Sequence, residues 1–193
     1  MKIFTGLNST NNTRFTGLKK IFFVIAFVLF CSFYAQAQFK FTLSGVITKD
    51  DKKLEGAVVT LYKGSTVVQQ ISTSSNGKYS FNLEPNTDYT LQVTRPGYIV
   101  KKISCSTKGM SDDQIKSYEG HKGADVSVGI FEMPKDANLA SQINSILSKP
   151  IAKLYFDPVK EDVDYDAAYS KSMVAAIDDL KKLEEEANKK MEE

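Results

Sequence analysis

Three carboxylates at alternate positions, Asp162-Val163-Asp164-Tyr165-Asp166, are the most chemically suggestive spacing in the chain. D-x-D-x-D opens a calcium-binding loop, because a hard divalent cation takes several carboxylate and carbonyl oxygens. The helix–loop–helix version of that loop breaks down here. Ala167 stands where a glycine must turn the backbone, and Met173 stands where a bidentate glutamate must close the site. A looser oxygen site would have to draw in Asp157 and Glu161. The same acids have a plainer use, since carboxylates at the start of a helix cap free N–H groups and complement its dipole.

The other reactive types are scarce. His121 is the sole histidine, and the cysteines are Cys31 and Cys105. A zinc site of histidine and cysteine needs three or four ligands. A Cys105–His121 nucleophile pair would need a thiol from the apolar stretch Ile99-Val100…Ile103 to meet a loop histidine. That stretch instead suits a buried thiol acting as a small apolar side chain. No nucleophile elbow and no phosphate-cradling glycine loop occurs. Tyr62, Tyr79, Tyr89 and Tyr98 offer a stacking platform for sugars, but the chain has no Trp, and tyrosines at strand positions mostly fill cores. This inventory assigns no catalytic, cofactor-binding or metal-binding residue and no cofactor, and leaves only the calcium question at Asp162, Asp164 and Asp166 open.

These residues sit on a chain that reads as β. Asn76-Gly77 is a turn signal whose residues tolerate positive φ, and it is read as a hairpin. After it Tyr79, Phe81 and Leu83 alternate with Lys78, Ser80 and Asn82, the period of a strand with one buried face. Tyr89, Leu91 and Val93 follow. Upstream, Phe39, Phe41 and Leu43 begin a strand interrupted at Gly45, where a bulge or close backbone approach is expected. Gly56 opens a β-branched strand to Tyr62, and Thr66–Thr73 reads as another. Tyr98–Cys105 and a closing strand with Val126, Val128 and Ile130 complete a seven-stranded antiparallel β-sandwich over 38–133, with 106–124 as a loop insertion. Within that insertion Ser111…Gln114 has the form of a capping box.

Residues 134–193 form a helical C-terminal extension. Asp136 caps a helix over about 138–148 carrying Leu139, Ile143, Ile146 and Leu147, stopped by Pro150. Residues 151–156 make a short strand, flanked by Pro150 and Pro158 and so suited to an edge. Asp157–Asp166 reads as an acidic linker. A long helix over about 165–190 follows, with Met173, Ala176, Leu180, Leu183 and Ala187 as its apolar stripe. The stripe suits either this chain's own sandwich or a partner.

Residues 1–37 stand apart. They hold Lys2, Arg14, Lys19 and Lys20, no acid, an apolar run from Ile21 to Phe33, and Ala35-Gln36-Ala37. This is the form of a cleavable secretory signal, cut before Gln38. The run is shorter than the roughly 20 residues that span a bilayer, and Phe30 is too bulky for lipid attachment at Cys31. Removing the segment turns the formal charge from +2 to −2. Nothing points to a nucleic-acid partner, which requires a clustered basic face.

Ser44-Gly45-Val46, Leu54-Glu55-Gly56-Ala57-Val58-Val59, Asn76-Gly77-Lys78-Tyr79-Ser80-Phe81, Tyr89-Thr90-Leu91 and Pro96-Gly97-Tyr98 occur in this order. The pattern resembles the carboxypeptidase regulatory-like family of secreted Bacteroidetes-type proteins, across about 39–105. The resemblance implies a transthyretin-like, immunoglobulin-like sandwich and a non-catalytic accessory role. Related hydroxyisourate hydrolases need more than one histidine, which this chain lacks. The expectation is therefore an exported, periplasmic or outer-membrane-associated module that binds a protein partner. Two alternatives accompany it: a polysaccharide- or peptide-binding sandwich, and a regulatory subunit of a separate peptidase.

Overall fold

The computed structural model describes residues 41–117 and 123–192. Residues 1–37, expected to be a signal segment, together with Phe39 and His121 lie outside the described residues, as does the side chain of Ala187. Eleven strands and three helices are described: β1 (Phe41–Lys49), β2 (Lys52–Lys53), β3 (Val58–Lys63), β4 (Thr66–Ser72), β5 (Lys78–Leu83), β6 (Asp88–Thr94), β7 (Lys101–Ser106), α1 (Asp112–Ser117), β8 (Gly123–Asp125), β9 (Val128–Gly129), α2 (Ala137–Leu147), β10 (Ala152–Asp157), β11 (Asp162–Tyr165) and α3 (Ala167–Glu192).

The chain is mainly β, in two sheets. One places β1 between β5 and the short strands β2, β8 and β9; the other runs β11-β10-β7-β6-β3-β4. Alternation builds the core. Phe41, Leu43 and Ile47 from β1 and Tyr79, Phe81 and Leu83 from β5 are buried, as are Val59, Leu61, Leu91, Val93, Ile103 and Cys105 from the larger sheet. Burying each large apolar side chain is worth about 1.5–3 kcal/mol.

The sheets are mixed, which corrects the purely antiparallel, seven-stranded expectation. β10 lies parallel to β7, with Ala152 opposite Ile103 and Leu154 opposite Cys105. Parallel neighbours need a crossover connection, and α2 lies on the one between these two strands, delivering the chain to β10, where the Ile151 amide donates to the Lys102 carbonyl. The strand at 151–156 is thus no edge, because β11 pairs along its other side. The supposed acidic linker contains that β11 strand. The expected closing strand at 126–130 is likewise replaced by two fragments, β8 and β9, both parallel to β1.

Asn76-Gly77 is also not a hairpin. Gly77 takes the positive φ of 68°, but Asn76 does not. The Asn76 carboxamide instead accepts from the Lys78 amide at 2.9 Å, and the turn carries the chain from β4 in one sheet to β5 in the other. β5 and β6, adjacent in sequence, also pair in different sheets, with Asn86 at a positive φ of 53° in the turn between them.

Both longer helices pack on the fold itself. Asp136 caps α2 by accepting from the Leu139 amide at 2.7 Å, and Leu139, Ile143 and Leu147 join the core. On α3 the buried residues are Met173, Ile177 and Leu180, and the last two belong to the same core. Ile177 replaces Ala176 in the expected stripe, while Leu183 is 51% exposed. Ile177 and Leu180 are therefore spent on this chain's own core.

Candidate interaction surface

The aspartates that suggested calcium are drawn into separate tasks. Asp166 starts α3: its carboxylate accepts from the Tyr169 amide at 2.9 Å and its carbonyl from the Ser170 amide. Asp164 pairs with Lys160, and that ion pair holds its carboxyl below the usual carboxylate range. Asp157 accepts from the amides of Val159 and Lys160 in the β10–β11 turn. Asp162 accepts from the Val163 amide. Among the described residues, no group of three or more His, Cys, Asp or Glu side chains comes together around a common point.

Cys105 is buried between Ile103 and the core, and burial pushes its thiol up to about 12. A thiol so placed stays protonated and unreactive. The four tyrosines do not form one platform. Tyr79 and Tyr89 are core residues at 3% and 5% exposure, and their hydroxyls are engaged with the Val126 carbonyl and the Glu84 amide. Tyr98 lies under Arg95 and Lys49, whose cations sit over its ring. Among the described residues the exposed tyrosines are others, Tyr155 and Tyr165, beside a shallow cleft of about 450 Å3 lined also by Ser104, Ser106 and Lys153.

Among the described residues, one long uncharged edge that the fold leaves open is β4. It is formed because Lys63-Gly64-Ser65 reverses the chain after β3, with Gly64 at φ 61°, and because its residues are largely β-branched. β4 pairs with β3 along one side, and no described strand pairs along its other side. Its register slips between Leu61 and Tyr62, which leaves Val68 as an extra residue. A bulge of this kind turns neighbouring side chains outward, and Val67 and Val68 are 52% and 43% exposed.

Two contacts hold the strand in place. The Gln70 amide donates to the Thr60 hydroxyl at 3.0 Å on the outer face of the sheet. The Gln69 amide donates to the Asn82 carbonyl of β5 at 3.4 Å, tying the two sheets together at this side. From Thr66 to Ser72 the strand carries no charge. The sequence does show a strand here, with no apolar alternation to mark a buried face.

Comparison with known proteins bears on the sandwich alone. No curated protein matches the sequence. Among solved structures, the Bacillus anthracis TIE protein aligns at 19% identity over 49% of this chain and 17% of that one, with a TM-score of 0.34. A DUF3823 family protein from Parabacteroides merdae aligns at 16% identity over 49% and 47%, with a TM-score of 0.33. The dioxygenase domain of a dioxygenase carbohydrate-binding protein fusion from a Streptomyces species aligns at 12% identity over 50% and 82%, with a TM-score of 0.36. The chain thus spans less than two thirds of the first two. Residues 42–108 match the model of the carboxypeptidase regulatory-like domain, from within β1 to just past β7.

Proposed function

We propose that the chain is a non-catalytic accessory module, exported through residues 1–37, that holds a protein partner in the periplasm or at the outer membrane. The observation that carries this reading is β4, an uncharged, seven-residue edge with one side unpaired by any described strand and two valines in solvent. An open edge binds an extended segment by main-chain hydrogen bonds, with specificity from alternate side chains. Natural sheets usually blunt such an edge with charge, Pro or bulges, and one blunted by the Val68 bulge alone favours a binding role. The engagement of Cys105, Asp157, Asp164 and Asp166 in folding contacts favours a scaffold over an enzyme. Export is supported by the basic start, short apolar run and Ala35-Gln36-Ala37 of the sequence.

A photo-reactive amino acid at Val68, introduced into the full chain in its native envelope, tests the reading. The control position is Val159, 90% exposed in the β10–β11 turn. Adducts from position 68 and none from 159 are expected. Equal adducts from both, or none from 68, would overturn it.

A second reading, binding of a polysaccharide or peptide, is favoured by the exposed Tyr155 and Tyr165 beside the 450 Å3 cleft. Its test is a glycan array followed by calorimetric titration, with Tyr155→Ala abolishing any hit.

A further inference from the structure

We infer that the occupant of the β4 edge is a second copy of this chain, whose own β4 adds in antiparallel fashion to join two six-stranded sheets across a two-fold axis. This rests on the reading of β4 as a partner-binding edge and names the partner.

The contrast with the other edges carries the inference. A two-fold strand pair sets each strand against itself, so any charge near its centre meets a like charge, which is destabilising. β2 consists of Lys52 and Lys53, the three-residue β8 ends on Asp125, β11 carries Asp162 and Asp164, and the Asn82 carbonyl of β5 already accepts from Gln69. β9 is only two residues long. Charge and shortness are the usual guards against edge-to-edge pairing. Thr66-Val67-Val68-Gln69-Gln70-Ile71-Ser72 has neither, and the bulge at Val68 is the one guard on it. In every register this strand faces its own copy without opposing ions, whereas a charged foreign strand would find no counter-charge on it.

The side chains also fit. In the register centred on Gln70, that residue faces its own copy and Gln69 faces Ile71, while Ser72 falls opposite the bulged Val68. A primary amide is donor and acceptor at once, so Gln70 is self-complementary. Its amide nitrogen is already anchored on the Thr60 hydroxyl, and Thr60 is only 3% exposed, so the side chain is held against the sheet before pairing. The bulge at Val68 confines the regular ladder to Gln69–Ser72. It also leaves Val67 and Val68 both exposed beside that ladder, where a second copy would cover them.

Light scattering on the chain recovered after export is the test, with wild type, Gln70→Lys, Gln70→Glu and an equimolar mixture of the two variants. The wild type is expected at twice the chain mass. Each single variant is expected to weaken the dimer about tenfold or more, and the mixture to restore it by setting Lys against Glu. Restoration cannot come from a folding defect. A dimer indifferent to both substitutions, or a mixture no tighter than either variant alone, would overturn the inference. A monomeric wild type that still gives a Val68 photo-adduct with a different protein overturns self-pairing and leaves the partner-edge reading standing. A monomer with no adduct overturns both.

Discussion

The Tyr79 hydroxyl donates to the Val126 carbonyl at 2.6 Å, across the strand that holds Gly45. A Cβ on Gly45 would sit 2.1 Å from that same carbonyl oxygen, so Gly45 is glycine because the 123–129 segment lies directly on it. Tyr79→Phe removes the donor and is expected to cost about 1–2 kcal/mol. Gly45→Ala pushes backbone from backbone and is expected to cost about 3 kcal/mol or more. Urea unfolding measures both. A larger loss for Tyr79→Phe than for Gly45→Ala would show that the segment is held by the tyrosine and not by close approach.

Asp136 and Asp166 cap α2 and α3 in the same way, each accepting from the amide three residues on. Replacing either with Ala is expected to cost about 1 kcal/mol, seen as a drop of a few degrees in the melting temperature. Replacing Asp162 is expected to cost less, since its carboxylate accepts from the neighbouring Val163 amide only.

The same acids decide the calcium question. With Asp166 used as a cap and Asp164 paired with Lys160, millimolar calcium and excess chelator are expected to give the same melting temperature. A midpoint that rises with calcium and falls with chelator would reassign the Asp157–Asp166 segment as a metal loop.

Alkali is expected to weaken the fold through Cys105. Its thiol has an ordinary value of 9.0 and is raised to about 12 by burial. The folded state therefore holds the proton that the unfolded state releases, so this stabilisation is complete below pH 9 and declines as pH rises toward 12. Burial raises the Tyr79 hydroxyl as well, with the same sign. Cys105→Val should flatten the upper-pH limb of a stability profile. On the acid side, Lys108 and Ser106 lower Asp88, and Lys49 lowers Glu132. Their contribution is lost as pH falls through the lowered values, and because these pairs are exposed the effect should be small and salt-sensitive.

Local chemistry was legible in the sequence wherever one segment is its own context. Ser111 and Gln114 form the expected reciprocal capping box, with bonds of 3.2 and 2.9 Å. Tyr79, Phe81 and Leu83 alternate into the core, and Cys105 is buried. Pairing partners were not legible, because they depend on distant segments. Nothing in Ala152–Asp157 announces a parallel neighbour fifty residues upstream, and Asp162-Val163-Asp164-Tyr165 reads as solvated acid until β10 supplies its partner. For the same reason β4 was legible as a strand but not as an edge. Its place depends on β5 crossing to the other sheet, which the turn residues alone do not reveal.

Amide hydrogen exchange along β4, measured at low and high protein concentration, tests the central claim most directly. The account predicts that amides within Val68–Ser72 gain protection as concentration rises, while those of β11 do not change. Equal exchange of β4 at both concentrations, with or without the envelope fraction added, would contradict the claim that this edge is where the protein binds.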